Sequence, residues 1–163
     1  MTTALAVTGH MDLTAATVPK VRAALRALLG RHAPDGLVGI SCIAKGADAV
    51  FAEETVAAGG RLVVVLPSRD YRERVVGADH AETFDRLVKA AAEVIVMPAR
   101  TADRAAYEAA NRELLTRADR LVAVWDGSPP SGAGGGTADT VAEARRAGLD
   151  VTVVWPDGAE RGA

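Results

Sequence analysis

Short apolar runs alternate along the chain with longer stretches in which apolar residues recur every three to four positions. The short runs are typical of strands, and they fall at residues 4–8, 37–42, 61–66, 93–97, 120–125 and 151–155. The longer stretches are typical of amphipathic helices, and they fall at residues 17–31, 47–58, 81–92, 103–118 and 138–147.

This alternation predicts βαβ units, and therefore a parallel sheet with helices on both faces. We expect an α/β, three-layer Rossmann-like fold with a mostly parallel sheet of about six or seven strands. No linker or repeat interrupts the pattern, so residues 1–157 are predicted to form a single domain. Residues 158–163 are small and polar, which predicts a frayed tail.

The composition narrows the classes of function. The 163 residues carry a net charge of −2, from 19 basic and 21 acidic residues, which argues against nucleic-acid binding. Cys42 is the single cysteine, and the three histidines lie far apart, so neither a disulfide nor a clustered metal site is predicted. No signal peptide or membrane span is evident. We therefore expect a cytoplasmic protein without a membrane partner.

Turns that contain glycine, histidine or proline follow four of the predicted strands, at residues 9–10, 41–48, 67–71 and 126–137. In parallel α/β sheets, ligands bind beyond the carboxyl ends of the strands. Because these ends meet at one edge of the sheet, we expect the four turns to gather around one cleft.

The clearest candidate site is the glycine run Gly134, Gly135 and Gly136, which Thr137 follows at a predicted helix start. Glycines let the backbone approach a ligand, and the first N–H groups of a helix favour an anion. We predict a cradle for a phosphate or ribose phosphate, with the Thr137 hydroxyl adding a hydrogen bond. The alternative is a surface loop. The run matches neither a dinucleotide fingerprint nor a Walker loop.

A second glycine turn runs from Ser41 to Asp48. Lys45 can neutralise a phosphate there, and the helix that starts after Gly46 can bind one. Asp48 stands in the first turn of that helix, where its charge suits the helix dipole. The alternative is that Asp48 only caps the helix and that Lys45 is solvated.

Other candidate contacts stand at the remaining strand ends. Gly9 and His10 follow the first strand, and His10 either contacts a ligand or holds the loop through the backbone. Asp126 either binds ribose hydroxyls or forms a turn. Pro67 begins the polar connection that carries Arg69, which contacts an anion, covers the site or is solvated.

No nucleophile is evident in the sequence. Cys42 ends an apolar strand with no sign of an activating base, which predicts a buried, inert thiol. Asp139 and Glu143 are the carboxylates nearest to the glycine run, and they lie four positions apart on one helical face. If a reaction occurs, the candidate catalytic residues are Asp126, Asp139 and Glu143.

Residues 41–48 and 59–61 look like the conserved core of the SLOG superfamily, which joins the Smf-type DNA-processing proteins to the Lonely Guy phosphoribohydrolases. Residues 8–10 resemble the start of its small stand-alone members. Residues 118–127 and 135–137 resemble the second half of the superfamily domain.

The resemblance implies a nucleotide or nucleotide-derived ligand, held at Gly9, at the turn of Lys45 and Gly46, and at residues 134–137. It implies a sensor or accessory module, without a cofactor, and a homodimer formed through helices. The alternative is an N-glycosidic hydrolase or transferase acting on nucleoside monophosphates. The phosphoribohydrolase pattern Gly-Gly-x-Gly-Thr-x-x-Glu is incomplete here, because Ala133 and Thr140 replace its first glycine and its glutamate.

Overall fold

Strands and helices alternate as the apolar pattern predicts. A computed structural model describes residues 2–132 and 136–162. The elements are β1 (Thr3–Gly9), α1 (Thr17–His32), β2 (Leu37–Ser41), α2 (Ala47–Ala57), β3 (Arg61–Leu66), α3 (Tyr71–Arg74), α4 (Ala78–Ala90), β4 (Glu93–Val96), α5 (Arg104–Arg117), β5 (Arg120–Val124), α6 (Thr137–Arg146) and β6 (Asp150–Val154). The short helix α3 lies in a connection that the pattern predicts to be irregular.

The six strands form one sheet in the order β4-β3-β2-β1-β5-β6, and every pair is parallel. The α/β Rossmann-like prediction is therefore confirmed. The chain builds the sheet outward from β1 to β4 and then returns to place β5 on the other side of β1. The strand order reverses at this point, where the neighbouring connections leave in opposite directions and open a crevice.

Helices cover both faces of the sheet. Val21 and Leu25 of α1 and Phe51 of α2 pack on one face, and α4 joins them there through a cluster around β3. Leu114 of α5 and Val141 of α6 pack on the other face. Because successive strand residues point to opposite faces, a strand covered on both sides needs a continuous apolar run. This explains the predicted strand at residues 61–66.

The tail is held against the loop before α1, so the prediction of a frayed tail is wrong for its described residues. The Thr14 N–H donates to the Glu160 carbonyl over 3.2 Å, and the Glu160 N–H donates to Thr17 Oγ1 over 2.8 Å. Leu13 and Arg161 form an antiparallel bridge. Polar composition did not reveal this because the partners lie in the loop before α1 and at the start of α1, far away in the sequence.

None of the helices within residues 2–132 and 136–162 combines the length and the apolar character that crossing a membrane requires.

Candidate functional site

A cavity of about 400 Å³ lies at the carboxyl ends of β1, β2 and β3, beneath α5 and the start of α6. Six of the predicted site residues line it: Gly9, His10, Asp48, Pro67, Gly136 and Thr137. The turns after β1, β2 and β3 and the helix start after β5 therefore share one space. Gly134 and Gly135, the other members of the glycine run, lie outside the described residues.

The predicted residues Ser41, Lys45 and Gly46 lie in the turn between β2 and α2, yet they are not among the described lining residues. Ser41 is fully buried; its hydroxyl donates to the Asp48 carbonyl and accepts from the Ile43 N–H, each over 3.0 Å. Lys45 is exposed, and its Nζ lies 2.6 Å from Asp79 Oδ2. These two polar side chains therefore bind protein groups rather than face the cavity.

Gly46 is required by a close approach of two turns. Its φ of +91° lies in the left-handed region. A Cβ atom at this position would lie 2.6 Å from the His10 carbonyl oxygen. Gly46 thus lets the turn before α2 pack directly on the loop after β1.

The first turn of α2 is already occupied. The Ala47 N–H donates to the His10 carbonyl over 3.2 Å, and the carboxyl of Asp48 accepts a hydrogen bond from the Ala44 backbone. Asp48 Oδ1 is inaccessible to solvent and has no hydrogen-bond partner within the described chain. Burial raises the pKa of Asp48 from 3.8 to about 7. A carboxyl group in this position disfavours a phosphate at this helix start.

The same turn contains a strained residue. Ile43 has a φ of +48°, which is costly for a β-branched side chain. Ser41 holds its N–H, and His80 of α4 approaches its carbonyl oxygen with Nε2 at 2.9 Å. The buried His80 therefore fixes the turn as a hydrogen-bond donor. No pattern in the sequence indicates this contact.

His10 and Asp126 contact each other beside the cavity. The Asp126 N–H donates to His10 Nε2 over 3.1 Å, which requires an unprotonated Nε2 and places the proton of a neutral ring on Nδ1. The same Nε2 lies 3.0 Å from Asp126 Oδ1, a hydrogen bond only when Nε2 is protonated. Hydrogen bonds from Ser128, with a smaller contribution from His10, lower the pKa of Asp126 to about 2. Asp126 therefore stabilises its own turn and is not among the described lining residues.

The three carboxylates proposed as catalytic candidates are not brought together. Asp139 and Glu143 line a separate groove of about 300 Å³ between α5 and α6, beside Arg104 and Arg146. Asp126 lies next to the cavity, bonded to Ser128. The predicted Arg69 is exposed and is also not among the described lining residues.

The side of the cavity toward β3 is apolar and carries neutral hydrogen-bonding groups. Cys42, Asp48, Tyr71 and Tyr107 line it. Burial strongly raises the pKa of the Cys42 thiol and of the Tyr71 hydroxyl, and the nearby Asp48 adds to both effects. The inert thiol predicted for Cys42 agrees with this environment. Tyr71 follows Pro67 in one of the predicted strand-end turns, but nothing in the sequence identified it as a lining residue.

The side toward β5 carries cationic and donor groups. Gly136 is the N-cap residue of α6 and has no side chain to cap the helix. Thr137 begins the helix and lines the cavity, as does Arg161. Arg161 was missed because it lies in the predicted frayed tail. No group of three or more histidine, cysteine, aspartate or glutamate residues in the described ranges is arranged to hold a metal ion.

Neither a protein-family model nor a curated protein matches the sequence. Among solved structures, DNA processing protein A from Streptococcus pneumoniae is similar over 96% of this chain and 51% of its own, with 16% identity and a TM-score of 0.69. The chain thus spans about half the length of that protein.

The molybdenum cofactor binding protein from Rippkaea orientalis is similar over 96% of this chain and 78% of its own, with 18% identity and a TM-score of 0.59. The molybdenum cofactor carrier protein from Chlamydomonas reinhardtii is similar over 94% and 76%, with 21% identity and a TM-score of 0.57. The chain therefore shares the Rossmann-like fold of these proteins, as the resemblance in its sequence implied.

Proposed function

We propose that the protein binds a nucleotide or a nucleotide-derived small molecule in the cavity at the carboxyl ends of its central strands. The observation that carries this proposal is the position of a cavity of about 400 Å³ where the strand order reverses. Ligands of doubly wound sheets bind at such points. The volume lies within the range of small-molecule sites.

A phosphate group fits the side of the cavity toward β5. The first turn of α6 begins after Gly136, which has no side chain to cap the helix, and its backbone N–H groups carry the positive end of the helix dipole. The Thr137 hydroxyl lines the same side. An aspartate stands in the first turn of each helix, Asp48 in α2 and Asp139 in α6. Because Asp48 lines the cavity and Asp139 lines the groove between α5 and α6, the α6 start is the better of the two predicted phosphate positions.

A base or a similar heterocycle fits the side toward β3. Apolar groups dominate there, together with the hydroxyls of Tyr71 and Tyr107 and the carboxyl of Asp48. With a pKa of about 7, the Asp48 carboxyl can either donate or accept a hydrogen bond near neutral pH. A planar group with hydrogen-bonding atoms on its edge suits such a lining.

The structural neighbours are consistent with a small-molecule ligand, because two of them are named for binding or carrying the molybdenum cofactor. DNA processing protein A points to nucleic acid instead. The net charge of −2 gives no support to a phosphate-backbone interface on this chain. We therefore favour the small molecule, with the protein acting as a sensor or accessory module.

Calorimetric titration with AMP, ADP-ribose and NAD tests the proposal. Thr137→Glu is the informative variant, because a carboxylate in the first turn suits α6 itself but repels a phosphate at its start. Ala105→Glu is the matched control: it adds the same charge to the exposed first turn of α5, away from the lining residues. We expect wild type and Ala105→Glu to bind at least one of the three nucleotides, and Thr137→Glu to bind it at least tenfold more weakly. Equal binding by all three proteins would contradict the phosphate position, and no binding by wild type would contradict the function.

A further inference from the structure

Arg161 is the one lysine or arginine among the described residues that line the cavity. It lies in residues 157–162, here called the strap, which cross the loop between β1 and α1. The other predicted cations, Lys45 and Arg69, are not part of the lining. If the cavity holds an anionic group, Arg161 is therefore the described side chain that can neutralise it directly.

The backbone of the strap is fixed on both sides of Arg161. The N–H and carbonyl of Glu160 are bonded to Thr17 Oγ1 and the Thr14 N–H, and Thr17 is almost fully buried. On the other side, the Gly162 N–H donates to the Asp12 carbonyl. Because hydrogen bonds hold both neighbours of Arg161, the backbone at Arg161 is fixed, and this fixes the point from which its side chain projects.

The guanidinium is held from one edge only. Nε of Arg161 donates to Asp12, at 2.9 Å from Oδ1 and 3.2 Å from Oδ2. Nη1 lies 3.8 Å from Asp126 Oδ2, which is beyond a hydrogen bond. Within residues 2–132 and 136–162, Asp12 thus orients the group through Nε while both Nη atoms retain donors for a ligand. Such a planar pair of donors suits a phosphate or carboxylate.

We propose that the strap is part of the binding site and that Arg161 binds the anionic group of the ligand together with the first turn of α6. This inference rests on the proposed function and adds to it a residue that the glycine motifs do not include. Asp12 and Asp126 offset part of the positive charge of the Arg161 guanidinium. Arg161 therefore selects an anionic ligand group by hydrogen-bond geometry more than by net charge. His10 lines the cavity as well.

Calorimetry with a matched pair of probes, AMP and adenosine, tests the role of Arg161. Arg161→Met removes the charge and the donors but keeps a long side chain. Arg120→Met is the control, because Arg120 is exposed at the start of β5. It therefore lies at the amino-terminal ends of the strands, opposite the cavity. Arg161→Lys keeps the charge and loses the planar fork. Urea unfolding of each variant establishes that the fold is retained.

We expect Arg161→Met to weaken AMP binding about 10- to 100-fold, the range for a charged hydrogen bond, and to leave adenosine binding unchanged. The affinity of Arg161→Lys for AMP should lie between those of Arg161→Met and wild type, and Arg120→Met should bind AMP as wild type does. If Arg161→Met binds AMP as wild type does, the strap proposal is overturned and the proposed function stands. If wild type binds no nucleotide but binds inorganic phosphate in an Arg161-dependent manner, the strap proposal stands and the nucleotide does not. Binding of none of these probes overturns both.

Discussion

Replacing Asp48 by asparagine should change the free energy of unfolding, relative to wild type, in a way that depends on pH. The variant should gain stability relative to wild type as the pH rises. The physical reason is the position of the carboxyl, whose Oδ1 is inaccessible and unpartnered in the described chain. Asparagine keeps an acceptor for the Ala44 backbone and cannot ionise. Any fixed cost of the substitution is the same at every pH, so the change of the difference with pH isolates the carboxyl.

The magnitude follows from the pKa of Asp48, which burial raises from 3.8 to about 7. Below pH 3.8 the folded and unfolded chains both hold the proton. Between 3.8 and about 7 the unfolded chain has released it and the folded chain has not, so the free energy of unfolding falls as pH rises. At about 1.4 kcal/mol per pH unit, the full loss is about 4 kcal/mol. It is complete above about pH 7.

Urea unfolding, followed by the fluorescence of Trp125 and Trp155, measures this effect at about pH 5 and about pH 8.5. On going from the lower to the higher pH, the stability of Asp48→Asn relative to wild type should rise by about 3 kcal/mol. Asp85→Asn is the control, because a hydrogen bond from Arg72 lowers the pKa of Asp85. Its carboxylate is therefore ionised in both the folded and the unfolded chain over this pH range, and its stability relative to wild type should not change. A difference between Asp48→Asn and wild type that does not change with pH would refute the reasoning.

Three further outcomes follow from the packing. Gly9→Ala should cost about 1–3 kcal/mol in a urea unfolding titration, since its Cβ would lie 2.4 Å from that of Ala47; Gly30→Ala, a helix position with open space around it, should instead stabilise by about 0.5–1 kcal/mol. Glu54→Gln should cost about 3 kcal/mol, because this buried carboxylate accepts from Arg22 and Arg26. Although burial opposes them, these hydrogen bonds lower the pKa of Glu54, so the cost should shrink as the pH falls below its unfolded pKa; an unchanged cost would contradict the ion pairing. Cys42 should not react with a thiol reagent at about pH 8 until urea unfolds the protein, because burial raises the pKa of the thiol; rapid native labelling would contradict its burial.

The sheet and its helices were predictable because each element shows its own period in the sequence. Residues 61–66 predicted a doubly covered strand, and β3 occupies that range. The convergence of the strand ends also follows from topology alone. What periodicity cannot report is the irregular backbone between elements, and α3 was missed for that reason.

The glycines illustrate why the site was harder to predict than the fold. Gly9 and Gly46 were assigned to ligand contact, yet a Cβ at either position would collide with another part of the chain. A glycine needed for close packing and a glycine needed for a ligand look the same in a sequence. Only the groups that surround each glycine in the folded protein distinguish them.

The polar candidates Lys45 and Ser41 illustrate a related difficulty. Lys45 and Ser41 stand in the predicted turn, but their partners, Asp79 and the backbone of residues 43 and 48, satisfy them within the protein. Arg161 lay in a segment whose composition predicted a frayed tail, and its position depends on backbone bonds to residues about 150 positions earlier. Contacts of that range leave no local pattern to read.

A crystal structure of the protein soaked with AMP tests the central claim most directly. We expect electron density for the nucleotide in the cavity, with its phosphate at the first turn of α6 beside Arg161 and its base near Asp48 and Tyr71. Density for the nucleotide in the groove between α5 and α6, or an empty cavity at a saturating concentration, would contradict it.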